Sequence, residues 1–134
     1  MVDLPKIMRA VVMIGHGGPE MLKIREDLLV PTPGEGEVLV RVAAAAVNNT
    51  DINARIGWYA KDDQQGEDVG WSGRSFQFPR IQSADVCGEI LAVGESVDTS
   101  RIGDRILIEP CILEKDGWAL EHPWYFGSEC DGGF

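Results

Sequence analysis

Basic residues are scarce in this chain. Lysine and arginine number 12 against 22 aspartates and glutamates, for a net charge of -10, and no basic cluster interrupts the acidic excess. Polyanions are poor partners for such a surface, which excludes nucleic-acid binding and docking on anionic membranes. Long apolar runs are missing as well; none approaches the roughly 18 residues that a membrane span needs. Cysteine is sparse: Cys87, Cys111 and Cys130 are odd in number and none stands in a C-x-x-C pair. A disulfide framework is therefore not expected. The first residues also lack the apolar stretch of a signal peptide, so a reducing cytoplasm is the expected setting.

What remains is enough for one domain. A chain of 134 residues can bury roughly two thirds of its unfolded surface without cross-links. Hydrophobic residues at 44% and charged residues at 25% are globular values. Glycine at 16 and proline at 7 exceed their usual share, which favours a turn-rich β architecture over a helical bundle.

Taken in order, Met8 to Ile14 is a β-prone run, Gly15 to Glu20 a turn cluster, and Met21 to Asp27 a second run, so a hairpin is expected. The Gly-His-Gly-Gly segment is not a phosphate loop, because the third glycine of G-x-G-x-x-G falls on Glu20, whose carboxylate would repel a diphosphate. Pro31, Pro33, Gly34 and Gly36 form a linker. Glu37 to Val47 reads as a strand with Val38, Val40 and Val42 on one face and Arg41 opposite. Alanines 43 to 46 leave room beside it for either a packed helix or a ligand. Asn48 to Gly57 reads as a short helix, capped by Thr50 or Asp51 and ended by Gly57 in the left-handed conformation. Trp58 to Phe78 shows no period and is expected to be a long loop, either a binding lid or a surface insertion. Cys111 to Phe134 again looks irregular.

The most specific stretch is Pro79 to Arg105. Ala84 to Val93 has the β-branched content of a buried strand, with Gly88 where a side chain would block a close neighbour. Gly94 ends that strand, Gly103-Asp104 turns the chain, and Arg105 to Ile108 opens another strand. The spaced string Gly88, Val93, Gly94, Val97, Gly103, Asp104 and Arg105 resembles the catalytic-domain signature of the medium-chain dehydrogenase/reductase family, the superfamily of zinc-type alcohol dehydrogenases and quinone oxidoreductases. The resemblance implies a mainly β fold, a GroES-like partly open barrel with short helices, spanning residues 1–134. It also implies a Rossmann cofactor domain, for which nothing in these residues supplies the glycine-rich turn. We therefore expect a domain fragment that is inactive alone, with NAD(P)H held mainly outside it. An apolar face would be left for the missing domain or for self-association, making a homo-oligomer one expectation.

The same resemblance bears on the site. In the zinc branch a Cys occupies the place of Asn48 and a His-Glu pair that of Ala84-Asp85. An amide is a weak zinc ligand and a methyl is none, so a catalytic zinc is not expected. Cys111, Cys130 and His122 do not supply the four thiolates of that branch's structural zinc; a Trp118, Trp124, Tyr125 and Phe126 segment is expected to stand on hydrophobic contacts in its place. Asn48, Asp51, Arg55 and Gly57 match in order the Asn-x-x-Asp/Glu-x-x-x-Arg-x-Gly pattern of the non-metal quinone oxidoreductases and enoyl reductases. Asn48 is thus the candidate catalytic and cofactor-contacting group, an uncharged donor for a developing oxyanion or for the nicotinamide amide. Thr50 is either a proton-relay hydroxyl or a cap. Asp51 is a catalytic-site candidate that either caps the helix or pairs with Arg55. Trp58 and Tyr59 either wall a flat substrate or pack in the core. The function implied is hydride transfer to a quinone or activated alkene. Alternatives are a non-catalytic GroES-like binding or assembly module, or a zinc-dependent alcohol dehydrogenase with altered ligands.

Overall fold

The computed structural model describes residues 4–60 and 76–134. Among the described residues, eight strands and one short α-helix follow one another: β1 (Ile7–Met13), β2 (Leu22–Leu29), β3 (Val38–Ala46), α1 (Asn49–Arg55), β4 (Arg80–Ile81), β5 (Asp85–Val93), β6 (Arg105–Leu107), β7 (Cys111–Lys115) and β8 (Trp118–Tyr125). They form three sheets, ordered β2-β1-β4, β3-β5-β6 and β7-β8. This is the mainly β, partly open arrangement expected. No helix among the described residues is long and apolar enough to cross a membrane.

The first hairpin pairs β1 with β2 from Met13↔Leu22 to Ile7↔Leu29. Its turn is closed from within, because Glu20 Oε1 accepts from the Gly18 N–H at 2.8 Å and the Gly17 N–H is spent on the Arg55 carbonyl at 2.8 Å. No amide is left at either glycine for a phosphate, in keeping with the rejection of a phosphate loop. Two apolar clusters form the core. Ala10, Val12 and Ile81 pack with Met8, Leu28 and Phe134, while Met13, Ala54 and Phe76 pack with Leu22, Tyr59 and Phe78. The second cluster seats the C-terminal half of α1 on the β1–β2 hairpin.

Strand β5 is the central strand of its sheet, paired with β3 on one side and β6 on the other. Val86, Gly88 and Ile90 are buried while Cys87, Glu89 and Leu91 are less so, the period of two expected for a strand with one covered face. Strand β3 departs from simple alternation. Leu39 is buried and Val42 is 43% exposed, because register shifts between Leu39 and Val40 and between Val42 and Ala44 rotate the side chains. The expected face of Val38, Val40 and Val42 is therefore broken. Arg41 is exposed and pairs across the strands with Glu89 at 2.8 Å. Alanines 43 to 46 are exposed, so no described helix fills the room they leave.

Two further expectations need correction. The segment from Cys111 is not irregular: β7 and β8 form a hairpin turned by Asp116 (φ 52°) and Gly117 (φ 76°), the Asp-Gly pair that favours such turns. Trp118 is 79% exposed and rests on no core, whereas Trp124, Tyr125 and Phe126 are half-buried. The loop between Trp58 and Phe78 lies largely outside the described residues. Its ends are a short turn at Trp58–Ala60 and the core side chains Phe76 and Phe78.

Candidate functional site

The site is built where β3 hands over to α1. Asn48 is the N-cap, in extended conformation, and Asp51 stands three residues on at the N3 position. The two make a capping box: Asp51 Oδ2 accepts from the Asn48 N–H at 2.8 Å, and the Asn48 side chain faces the Asp51 N–H in return. The cap is thus Asn48, not Thr50 or Asp51, since only the residue before the first helical turn has the extended backbone from which a side chain can reach back. Gly57 (φ 68°) closes the helix end as expected.

Asp51 turns inward and is buried. Its Oδ1 accepts from the Ser83 N–H at 3.1 Å, and its carbonyl accepts from Gln82 Nε2 at 3.0 Å. It does not pair with Arg55, whose Nη1 donates to the Gly17 carbonyl at 2.7 Å. Burial pushes the Asp51 carboxyl above its ordinary value of 3.8; the hydrogen bonds from Asn48 and Ser83 pull it down, and the nearby Asp85 charge adds to the rise. A folded-state value above the unfolded one means that ionisation opposes folding. Asp51 contributes its stability below pH 3.8 and loses it as pH rises through the folded value. Relative to Asp51→Asn, the protein should therefore be most stable at the acid end of that window, a difference that urea unfolding at acid and neutral pH would reveal.

Ser83 was not singled out from the sequence. It is fully buried with φ 80°, a conformation costly for a residue with a Cβ. Its Oγ donates to the Ala46 carbonyl at 3.1 Å, so it ties β3 to the start of β5 and helps anchor Asp51. A serine carries no sequence signal for such a backbone angle. Asp85 stands beside the cap, and its Oδ2 accepts from Asn48 Nδ2.

A cleft of about 410 Å³ lies over this junction, lined by Val47, Asn48, Asn49, Thr50 and Ala84. The structure thus brings Asn48 and Thr50 to one opening and places Asp51 in the buried layer behind them. Trp58 and Tyr59 do not line the cleft. Tyr59 packs on the Met13, Ala54 and Phe76 cluster, and Trp58 is 53% exposed with its ring edge-on to Tyr59 at 5.3 Å. Among the described residues no three of His, Cys, Asp and Glu gather as a ligand set. Cys130 is half-buried, and burial raises its thiol pKa.

Three small β-sheets, one capped helix beside a cleft and the Gly88-to-Arg105 turn string together define a GroES-like domain of the medium-chain dehydrogenase/reductase type. The chain belongs to the alcohol dehydrogenase GroES-like domain family, which matches residues 34–134. It is 36% identical over 107 residues to the quinone oxidoreductase of Homo sapiens, covering 80% of this chain and 29% of that protein. It is 33% identical over 126 residues to the chloroplastic NADPH-dependent alkenal/one oxidoreductase of Arabidopsis thaliana, covering 94% and 28%. A crystal structure from Sinorhizobium meliloti 1021, of a protein provisionally assigned as an alcohol dehydrogenase, superposes with TM-score 0.85 at 42% identity, covering 99% of this chain and 37% of that one. The chain therefore spans under a third of the length of these curated relatives.

Proposed function

We propose that this chain is the N-terminal, substrate-side domain of a zinc-independent NAD(P)H oxidoreductase that reduces a quinone or an activated alkene. The observation that carries this reading is the lining of the cleft, which includes Asn48 and Ala84, the residues that by the family resemblance take the places of metal ligands in the zinc branch. The names of the human and Arabidopsis relatives support the substrate class, and the NADPH-dependent Arabidopsis enzyme supports the cofactor.

The lining fits only part of a dinucleotide. It holds no basic side chain for a diphosphate, and the Gly17-Gly18 amides are already spent, so the residues suit an uncharged ring and amide. When bound, NAD(P)H supplies the hydride. This chain's residues orient and stabilise around it. Asn48 donates an N–H to the substrate oxygen on which negative charge develops, without a charge that would need its own partner. Thr50, which lines the same cleft, is the proton donor to that oxygen in this reading. Val47 and Ala84 supply the apolar part of the lining beside the reacting carbon.

The test is an assay of the full-length protein purified without added metal. NADPH-dependent reduction of a quinone or alkenal with substoichiometric zinc is expected. Stoichiometric zinc with alcohol oxidation would overturn the reading, as would a full-length protein that reduces neither substrate and acts only as a binding module. Titrating residues 1–134 with NADPH should give no saturable binding at micromolar concentration; a clean isotherm would show that the cofactor is held here.

A further inference from the structure

We infer that Asp85 is a positioning residue for the Asn48 amide. The inference rests on the reading above that Asn48 meets the reacting atoms. Asn48 sits between two partners of opposite kind. The Asp85 carboxylate accepts from Nδ2, and on the other side lies the N–H of Asp51, which the Asn48 side chain faces in the capping box. A carboxylate can only accept and a backbone N–H can only donate, so both partners demand the same orientation of the amide. Turning it over would set Oδ1 against the Asp85 oxygens and the NH2 group against a donor. Asp85 thereby holds the side chain in one of its two possible states, with one Nδ2 hydrogen committed to Asp85 and Oδ1 turned toward the helix start, where the Asp51 N–H itself donates to the Asn48 carbonyl at 3.1 Å. The second Nδ2 hydrogen is left for whatever enters the cleft that Asn48 lines.

Asp85 is well placed for this. It opens β5, where its backbone pairs with Ala46 at the end of β3, and the Ser83 side chain ties the two strands together through the Ala46 and Asp85 carbonyls. The base of the Asp85 side chain is thus fixed to the same junction that fixes Asn48. The carboxylate itself is exposed, and its one described side-chain partner is Asn48, so removing it should leave the fold intact.

Two measurements separate this inference from the functional reading. In the 15N-labelled protein, solvent exchange of the Asn48 side-chain amide should be asymmetric, one Nδ2 proton being protected, and Asp85→Ala should abolish that protection while the backbone spectrum is kept. Equal exchange of the two protons in both proteins overturns the positioning role whatever the enzyme does. In the full-length enzyme Asp85→Ala should lower kcat about tenfold, the lower end of what outer partners of functional groups cost. It should have no further effect in an Asn48→Ala background, because it acts through that side chain. Asp85→Asn, which keeps an acceptor oxygen, should recover part of the loss. Losses that add in the double variant overturn the inference. If Asn48→Ala alone leaves turnover unchanged, the functional reading fails, and the exchange measurement still decides the role of Asp85.

Discussion

Replacing Gly88 by valine should lower the thermal midpoint by about 10 °C, the equivalent of about 3 kcal/mol in a domain of this size. Gly88 is the mid-point of β5, with Val42 of β3 opposite it on one side and Ile106 of β6 on the other. A Cβ added there would meet the Arg41 carbonyl oxygen and, at 2.6 Å, Val40 Cγ1. A side-chain methyl can swing aside, but a backbone oxygen in a paired strand cannot move without breaking the ladder. The clash falls between the two strands whose far ends present Asn48 and Asp85, so the damage should reach the cleft as well as the core. Gly88→Ala should show the same effect at smaller size. An unchanged melting curve for the valine variant would mean that β3 does not lie across β5 as described.

The close approach at Gly88 was legible in the sequence because a glycine in a β-branched run has few other reasons to be there. The first hairpin, the turn at Gly103 and the left-handed helix end at Gly57 were legible for similar reasons, since each is written in residues with narrow conformational preferences. Other features were hidden. The Asp116-Gly117 pair is a turn signal, but the strands on either side, with Glu114, Lys115, Glu121 and His122 exposed or half-exposed, lack the apolar alternation that marks a strand with one buried face. The register shifts in β3 leave no mark in composition, and they undo the alternation of its valines. At the site, the sequence pointed to Asn48 and Asp51 but misplaced the cap by two or three residues. Which of several adjacent capping residues starts a helix depends on where the strand before it ends. Here that point is set by Ser83 Oγ on the Ala46 carbonyl and by the buried Asp51 carboxylate, contacts far apart in the chain that no local pattern announces.

If the proposed function holds, Asn48→Ala in the full-length protein should lower kcat by roughly tenfold to a hundredfold with a smaller change in KM, because the interaction lost would be one made mainly as charge develops on the substrate oxygen. The expected size is below that of a fully enclosed oxyanion donor. The cleft is open to solvent on one side, and water can replace part of the lost hydrogen bond. The same substitution also removes a helix cap, which costs about 1 kcal/mol of stability, and the two effects must be told apart. Asn48→Ser resolves them: serine is a good N-cap with a short hydroxyl, so it should restore the melting temperature without restoring turnover. If serine recovers both, the amide serves only to start the helix and the cleft has no use for its remaining N–H. If serine recovers stability alone, the loss of turnover belongs to the amide, and the chemistry of this domain rests on a neutral donor at a position where the zinc branch of the superfamily has a thiolate.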